Sequence, residues 1–421
     1  MNIMKKVDVA IIGAGVSGLS YANFCNTDYL IVEKDIVPGG LCKTFYYKDF
    51  VWDCAGHFFH FSDSEIKNFF ESKIDAGEIV IAKKNTKIYY KGEYIDYPFQ
   101  MNIHQLPKEE FIDCLYDLFT KQEKEEYENF EDMLYGKFGR GITEKFLKPY
   151  NEKLYACNLN VLDKNAMGRF FPYADKEEIV RNFRNHTYCS YNDSFEYPQR
   201  GAITFVNALL ENVDQDKIMY GTKIRDIDLK QHILKTDKEE IQYNRLISSM
   251  PLNSFLMMNG LSQYKEVLKD LQANKVLVFN LGFDKKSRID DVHWIYYPSK
   301  DINFYRVGFY DNILKTGKLS LYVEIGYKLD EEINIDVELE KTISNLKECG
   351  IISDHKLIGY NSIVIPSAYV HITERVKKEV SWVLKQLEKQ EVYKLGRYGR
   401  WTYCSIEDCI KEAKRLAVQN R

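Results

Sequence analysis

What the chain lacks narrows its identity first. No apolar run approaches the roughly 18 to 20 residues that a bilayer-spanning helix needs, so no integral membrane segment is expected. With 9 prolines in 421 residues and no Pro/Ser-rich tract, there is no basis for a long disordered segment. The 9 cysteines contain no CxxC pair and the 8 histidines no HExxH spacing. An odd thiol count without such pairs fits reduced cysteines better than a disulfide framework, and no metal site is expected. No basic stretch is interleaved with aromatics, and the formal net charge of −4 offers no footprint for nucleic acid. Anionic ligands must therefore be met by local groups. The first apolar strand begins six residues after Met1, too early for a signal peptide, and a cytoplasmic location is expected.

What is present is ordinary globular composition, 45% hydrophobic and 29% charged, in a chain long enough for two or three domains. The 31 tyrosines are many; each offers an apolar ring with a hydroxyl at its tip, suited to stacking and to bonding phosphate, although most will be ordinary packing.

The most informative stretch runs from Val7 to Gly40. VDVAII suits a buried parallel strand and leads into Gly13-Ala-Gly-Val-Ser-Gly18, then a helical pattern, then a second apolar run ending at Glu33. In such a β-α-β unit Gly13 permits the turn, Gly15 lets a pyrophosphate approach the backbone and Gly18 lets the helix pack closely, while helix-start N–H groups attract the anion. Glu33, twenty residues after Gly13, stands where a carboxylate can accept ribose hydroxyls. A dinucleotide site follows, with Lys34 beside the acid. The pair Gly39-Gly40, followed by Leu41, is a second place where backbone and cofactor can approach.

Further along, Ser62 to Glu65 resembles a helix start with Ile66, Phe69 and Phe70 on the buried face. KIYYKGEYIDYPFQ (87–100) reads as a hairpin around Lys91-Gly92. From 104 to about 158 the pattern is helical, with Phe111, Leu115, Leu118 and Phe119 on one face and KQEKEEYENFED as a solvated face. Read plainly, the KPYNEKLY run is a helix ended by its proline. The stretches after Ile218 and again after Lys275 alternate as strands, and Val376, Val380, Val383, Leu384 and Leu387 mark an amphipathic helix. Ser405 and Asp408 form a capping box ahead of a last helix with Ile406, Cys409, Ile410, Ala413 and Leu416 on its apolar face.

Taken in order, these motifs resemble the FAD-dependent superfamily of amine oxidases, protoporphyrinogen oxidases and UDP-galactopyranose mutases, and most of all the mutases. The carrying residues are the glycine loop, Glu33 and Gly39-Gly40; Ala55-Gly-His-Phe-Phe-His-Phe61, similar to a GPHIFHT element; Phe146 to Tyr155, similar to FxKPYxxKxW; Phe304-Tyr-Arg-Val307, similar to a YTR strand; and Leu395 to Asp408, similar to the mutase C-terminal signature. The resemblance implies an α/β fold: a Rossmann-type FAD-binding domain from 1–86, 198–260 and 372–421, an inserted helical subdomain at 104–197, and a mainly antiparallel substrate sheet from 87–103 and 261–371.

It also implies roles. His57 and His60 would lie beside the flavin, although two histidines in an aromatic run are also ordinary core residues. Ile224 would lie near the adenine, Gly396 and Arg397 near the cofactor phosphates, and Ser405 at a helix start facing the flavin pyrimidine. Tyr155, in place of the family's Trp, would stack on the nucleotide base. Arg306 would hold the substrate diphosphate, with Arg169 second; the family's later arginine falls near Tyr173, leaving Arg181 or Arg184 as substitutes. Tyr327, in an EIGY element, and Tyr369, in a segment similar to a PYYPV turn, would touch phosphate. The implied activity is isomerisation of a nucleotide-activated sugar between pyranose and furanose forms, through attack of reduced-flavin N5 on the anomeric carbon, for cell-surface polysaccharide synthesis. A flavin oxidoreductase is the competing class and a non-enzymatic FAD-binding scaffold a third. The identity of the sugar and the oligomeric state, a homodimer included, stay open.

Overall fold

The computed structural model describes residues 4–185 and 193–419. Strand β1 (Lys5–Ile12), helix α1 (Val16–Phe24) and strand β2 (Tyr29–Val32) form the expected unit, with β1 and β2 paired in parallel. Val9 to Ile12 are all buried, which is why the strand is continuously apolar: a parallel strand covered on both faces has no polar side. Around it the sheet runs Ile224–Asp228, Ile233–Thr236, Glu240–Ser248, β1, β2, Ile218–Met219, with Val392–Lys394 added in parallel to Glu240–Ser248.

Helices cover both faces of this sheet. Val9 and Ile11 pack with Leu19 of α1, Phe205 and Val206 of the helix Ile203–Leu210, and Ile410 and Ala413 of the C-terminal helix Ile406–Gln419. Ala10 and Ile12 face the other way, toward Val376, Val380, Val383 and Leu387 of the helix Glu374–Glu388. This layering is the Rossmann-type arrangement expected from the glycine motif.

A second sheet runs Leu357–Val370, Ala273–Phe283, Ser320–Lys328, Arg306–Phe309, Trp294–Tyr296, Thr86–Tyr90, Glu93–Asp96. All its pairings are antiparallel except that of Trp294–Tyr296 with Thr86–Tyr90. The hairpin turn at Lys91-Gly92 has φ of 49° and 90° at its two residues, as a tight two-residue turn requires. Alternation along Ser320–Lys328 sends Val323, Ile325 and Tyr327 toward the helix Ile335–Glu348, and Tyr322 and Glu324 to the opposite face.

Three local readings change. Phe119 is 55% exposed, because the helix Lys108–Thr120 buries a narrower stripe built on Cys114 and Leu118, the thiol serving as a small hydrophobe. Pro149 begins the helix Lys148–Tyr155 instead of ending one; in the first turn its missing N–H costs nothing. Pro366 to Tyr369 is not a turn but part of the edge strand Leu357–Val370, where a register shift absorbs the proline.

Two buried polar groups tie the parts together. Lys153 Nζ donates to the carbonyls of Tyr297, Ser299, Ile302 and Phe304 at 2.6 to 2.9 Å, fixing the loop that leads into Arg306. The Asp53 carboxyl accepts from Thr44 Oγ1 at 2.5 Å, from the Tyr197 hydroxyl at 2.7 Å and from the Ala202 N–H at 3.2 Å, so it holds the turn by which the chain returns to the first sheet. Its backbone binds Asn280 of the second sheet and Tyr310 of the short helix that follows the strand Arg306–Phe309.

Burial pushes the Asp53 carboxyl from 3.8 up to about 7, against the hydrogen bonds that favour its ionised form. The folded state therefore keeps this proton after the unfolded chain has lost it, so its stabilising contribution is full below pH 4 and is lost as pH rises through about 7. In urea unfolding at pH 5 and pH 8, the stability advantage of wild type over Asp53→Asn is expected to shrink at the higher pH. An advantage that grows would contradict the assignment.

Candidate functional site

The site is built on the glycine loop. Gly13 has φ of 100°, and a Cβ on Gly18 would lie 2.0 Å from the Gly13 carbonyl oxygen, so α1 meets the turn only without a side chain there. The Gly39 N–H donates to Ala14 O at 2.8 Å, and Gly15 and Gly39 form a parallel bridge. The two glycine pairs thus make one surface of bare backbone, the cradle a pyrophosphate needs. Glu33 is buried; its carboxylate accepts from the Ala14 N–H at 2.6 Å and the Asp35 N–H at 2.9 Å, bracing this loop. Its own carbonyl receives the Thr222 N–H, which brings Ile224 to the same end of the sheet. Lys34 is exposed, and Leu41 packs on the core beside the second sheet.

The C-terminal signature closes over this loop. Gly396 has φ of 72°, and a Cβ there would lie 2.3 Å from Ser17 Oγ. Next to it the guanidinium of Arg397 lies 4.2 Å from the Tyr403 ring centroid and 5.3 Å from that of Tyr369, while its buried Nε has no hydrogen-bond partner. Ser405 and Asp408 form the capping box as read, with reciprocal bonds of 2.8 and 3.1 Å.

From the second sheet, Arg306 enters on the Glu324 face. The two residues are register partners on neighbouring strands, and Nε and Nη2 bond the Glu324 carboxylate at 2.8 and 2.6 Å. The Glu324 side chain is only 2% exposed, so this is a buried, bidentate pair and not a solvated strand arginine. Tyr155 is fully buried, its ring 5.8 Å from that of Tyr369 and its hydroxyl without a partner. His57, within electrostatic range of Glu324, Arg397 and Arg306, is pulled by burial down to about 4, so it is neutral at physiological pH.

The structure therefore gathers Arg306, Arg397, Tyr155, Tyr369 and His57. It sets others apart. Tyr327 points to the opposite face of its strand, into the core beneath the helix Ile335–Glu348, because it is an odd number of residues from Glu324. His60 bonds the Ser194 carbonyl at 2.7 Å and has Lys84 and Glu407 as charged neighbours, while Phe58 between the two histidines stacks on Trp294. Arg169 is half exposed and paired with Asp408 at 2.6 Å. Arg181 and Arg184 are exposed. The reading missed Glu324 as the counterion of Arg306 and Tyr403 as the ring beneath Arg397. Tyr403 lay within the C-terminal signature; the Arg306–Glu324 pairing depends on strand register.

Among the described residues no group of three or more His, Cys, Asp or Glu side chains is placed to hold a metal, and no helix is long and apolar enough to cross a membrane.

Fold and glycine cradle together define a Rossmann-type dinucleotide-binding protein, and residues 11–72 match the family model of the NAD(P)-binding Rossmann-like domain. The whole architecture recurs in solved structures of distant sequence. It is similar to reduced UDP-galactopyranose mutase, with a TM-score of 0.91 and 22% identity, over 98% of this chain and 93% of that one. Cyclohexylamine oxidase from Brevibacterium oxydans IH-35A superposes with a TM-score of 0.71 at 12% identity, over 98% of both chains. In sequence the chain is 23% identical over 325 residues to coproporphyrinogen III oxidase of Staphylococcus aureus, covering 68% of this chain and 69% of that protein.

Removing Arg306 alone strands a buried carboxylate. Arg306→Ala is expected to cost about 3 to 5 kcal/mol of stability, and adding Glu324→Gln should recover much of that loss. Urea unfolding of the single and double variants checks this; equal stability of the two would mean that the pair is not buried in solution.

Proposed function

We propose that the protein is a cytoplasmic flavoenzyme that binds FAD and, with the flavin reduced, isomerises a nucleotide-activated sugar between pyranose and furanose forms in the manner of UDP-galactopyranose mutase. One observation carries the reading: two partly buried arginines, 306 and 397, lie within electrostatic reach of Tyr369, the second of them next to the glycine that packs on the start of α1. The fit to FAD rests on the bare cradle of Gly13, Gly15, Gly39 and Gly40 and on the unpartnered Nε of Arg397 beside it.

Reduced FAD would supply N5 as a nucleophile toward an anomeric carbon. The chain's own contribution is to hold charge. Glu324 engages Nε and Nη2 of Arg306 and fixes its orientation, leaving Nη1 outside the pair to meet an anion. Arg397, resting on tyrosine rings and not on a carboxylate, is the second cation for a departing diphosphate. Tyr369, partly exposed and within electrostatic reach of both guanidiniums, offers a hydroxyl to the diphosphate, whereas Tyr155, wholly buried behind it, supports that ring and does not itself meet the nucleotide. Neutral His57 can bond a sugar hydroxyl without adding charge. The N-terminus of the helix Ile406–Gln419 favours negative charge on the cofactor ring.

A flavin oxidoreductase is the second reading. The oxidase relatives favour it, as does the engagement of Arg169 by Asp408.

The purified protein, reduced with dithionite under argon, is expected to interconvert the ring forms of UDP-galactose or another nucleotide sugar and to stop when air restores the oxidised flavin. Arg306→Ala combined with Glu324→Gln should weaken nucleotide-sugar binding by about tenfold or more while FAD stays bound. A yellow protein that converts and binds no nucleotide sugar would favour the oxidoreductase instead.

A further inference from the structure

Two of the cysteines meet beside the glycine loop. Cys404 Sγ lies 3.6 Å from Cys409 Sγ, across the start of the helix Ile406–Gln419, and the pair plays no part in the proposed reaction. Their positions differ in a useful way. Cys404 borders a recess of about 290 Å³ open to solvent, whose wall carries the acidic side chains of Asp408 and Glu412 as well as the basic ones of Lys411 and Arg415. Cys409 faces inward, 3.7 Å from where a Gly396 Cβ would stand and in contact with Ser17 of α1. Cys409 is held below its ordinary value because it accepts from the Cys404 thiol, with further help from the Arg397 N–H, while that same hydrogen bond and burial hold Cys404 above its own.

We propose that Cys404 and Cys409 form a reversible dithiol/disulfide site, oxidised by small soluble disulfides such as glutathione disulfide that reach Cys404 through this recess. The Cys404 sulfur attacks one sulfur of glutathione disulfide as its proton passes to the Cys409 thiolate, forming a mixed disulfide and releasing one glutathione thiolate. Cys409, giving that proton up to the released thiolate, then attacks Cys404 Sγ, closing the internal disulfide and releasing the second. Two electrons pass from the cysteine pair to the glutathione disulfide, and the two thiol protons end on the two glutathiones. Neither sulfur must travel far, because the pair is already in van der Waals contact. Closure ties the segment carrying Tyr403, the ring beneath Arg397, to the first turn of the helix.

The sequence offers a direct test. Arg400 and Lys411 bracket both cysteines with no Lys or Arg between them, so trypsin releases Trp401 to Lys411 as one peptide. After treatment of the full-length protein with glutathione disulfide at neutral pH, this peptide is expected to lose two hydrogens and to take up no alkylating reagent. Dithiothreitol should restore both alkylation sites. Cys409→Ser should stop at a glutathione adduct on Cys404. A wild-type peptide that still alkylates twice, or that carries glutathione without closing the internal bond, would overturn the proposal. If Cys409→Ser fails to fold, peptide mapping of the wild-type protein alone decides the matter.

Discussion

A single buried carboxyl group joins the two sheets. Asp53 takes three donors on its side chain, from Thr44, Tyr197 and Ala202, and lends its own backbone to Asn280 and Tyr310. Its low-dielectric surroundings would make an unpaired carboxyl very costly, so it tolerates burial only with its partners in place. Those partners come from four distant parts of the sequence. The chain can thus leave the dinucleotide-binding sheet, build the second sheet and return with the two in fixed relation, and that relation sets the distance from the glycine loop to Arg306.

The chemistry follows from how charge is distributed around that junction. Arg306 is neutralised and aimed by Glu324, whereas Arg397 is held by aromatic rings alone. Two guanidiniums prepared so differently can share an anion with little repulsion of each other: one is rigid and partly compensated, the other retains its full charge against aromatic rings. Neutral His57 adds no third charge, and the capped helix start contributes a diffuse positive end.

Features determined by contiguous residues were legible before any coordinates. The β-α-β unit, the hairpin at Lys91-Gly92 and the Ser405–Asp408 cap each depend on spacing within one short stretch, and each is present as read. The mixed α/β fold with its Rossmann-type sheet was legible too, through the order of its motifs. Features determined by register or by tertiary competition were not. Whether Tyr327 shares a face with Arg306 depends on counting from Glu324 across a strand pair that the sequence does not align. The exposure of Phe119 depends on which stripe of its helix the neighbouring helix covers, and Cys114 took the place expected for a larger side chain. Pro366 carried a turn signal that an edge strand with a bulge could absorb. The contact of Cys404 with Cys409 matches no familiar spacing, because one residue lies before the helix and the other in its first turn.

The clamp made by Lys153 has a consequence for how this molecule can vary. Its four acceptors are main-chain carbonyls, so this part of the anchor does not depend on which side chains the loop carries. Exposed Ser299, Lys300 and Asp301 can change without disturbing those acceptors, whereas Tyr297, Ile302 and Phe304 are themselves buried in the core. Variation in this loop should therefore concentrate at its three exposed positions, opposite a lysine whose loss would leave four carbonyls without their shared donor.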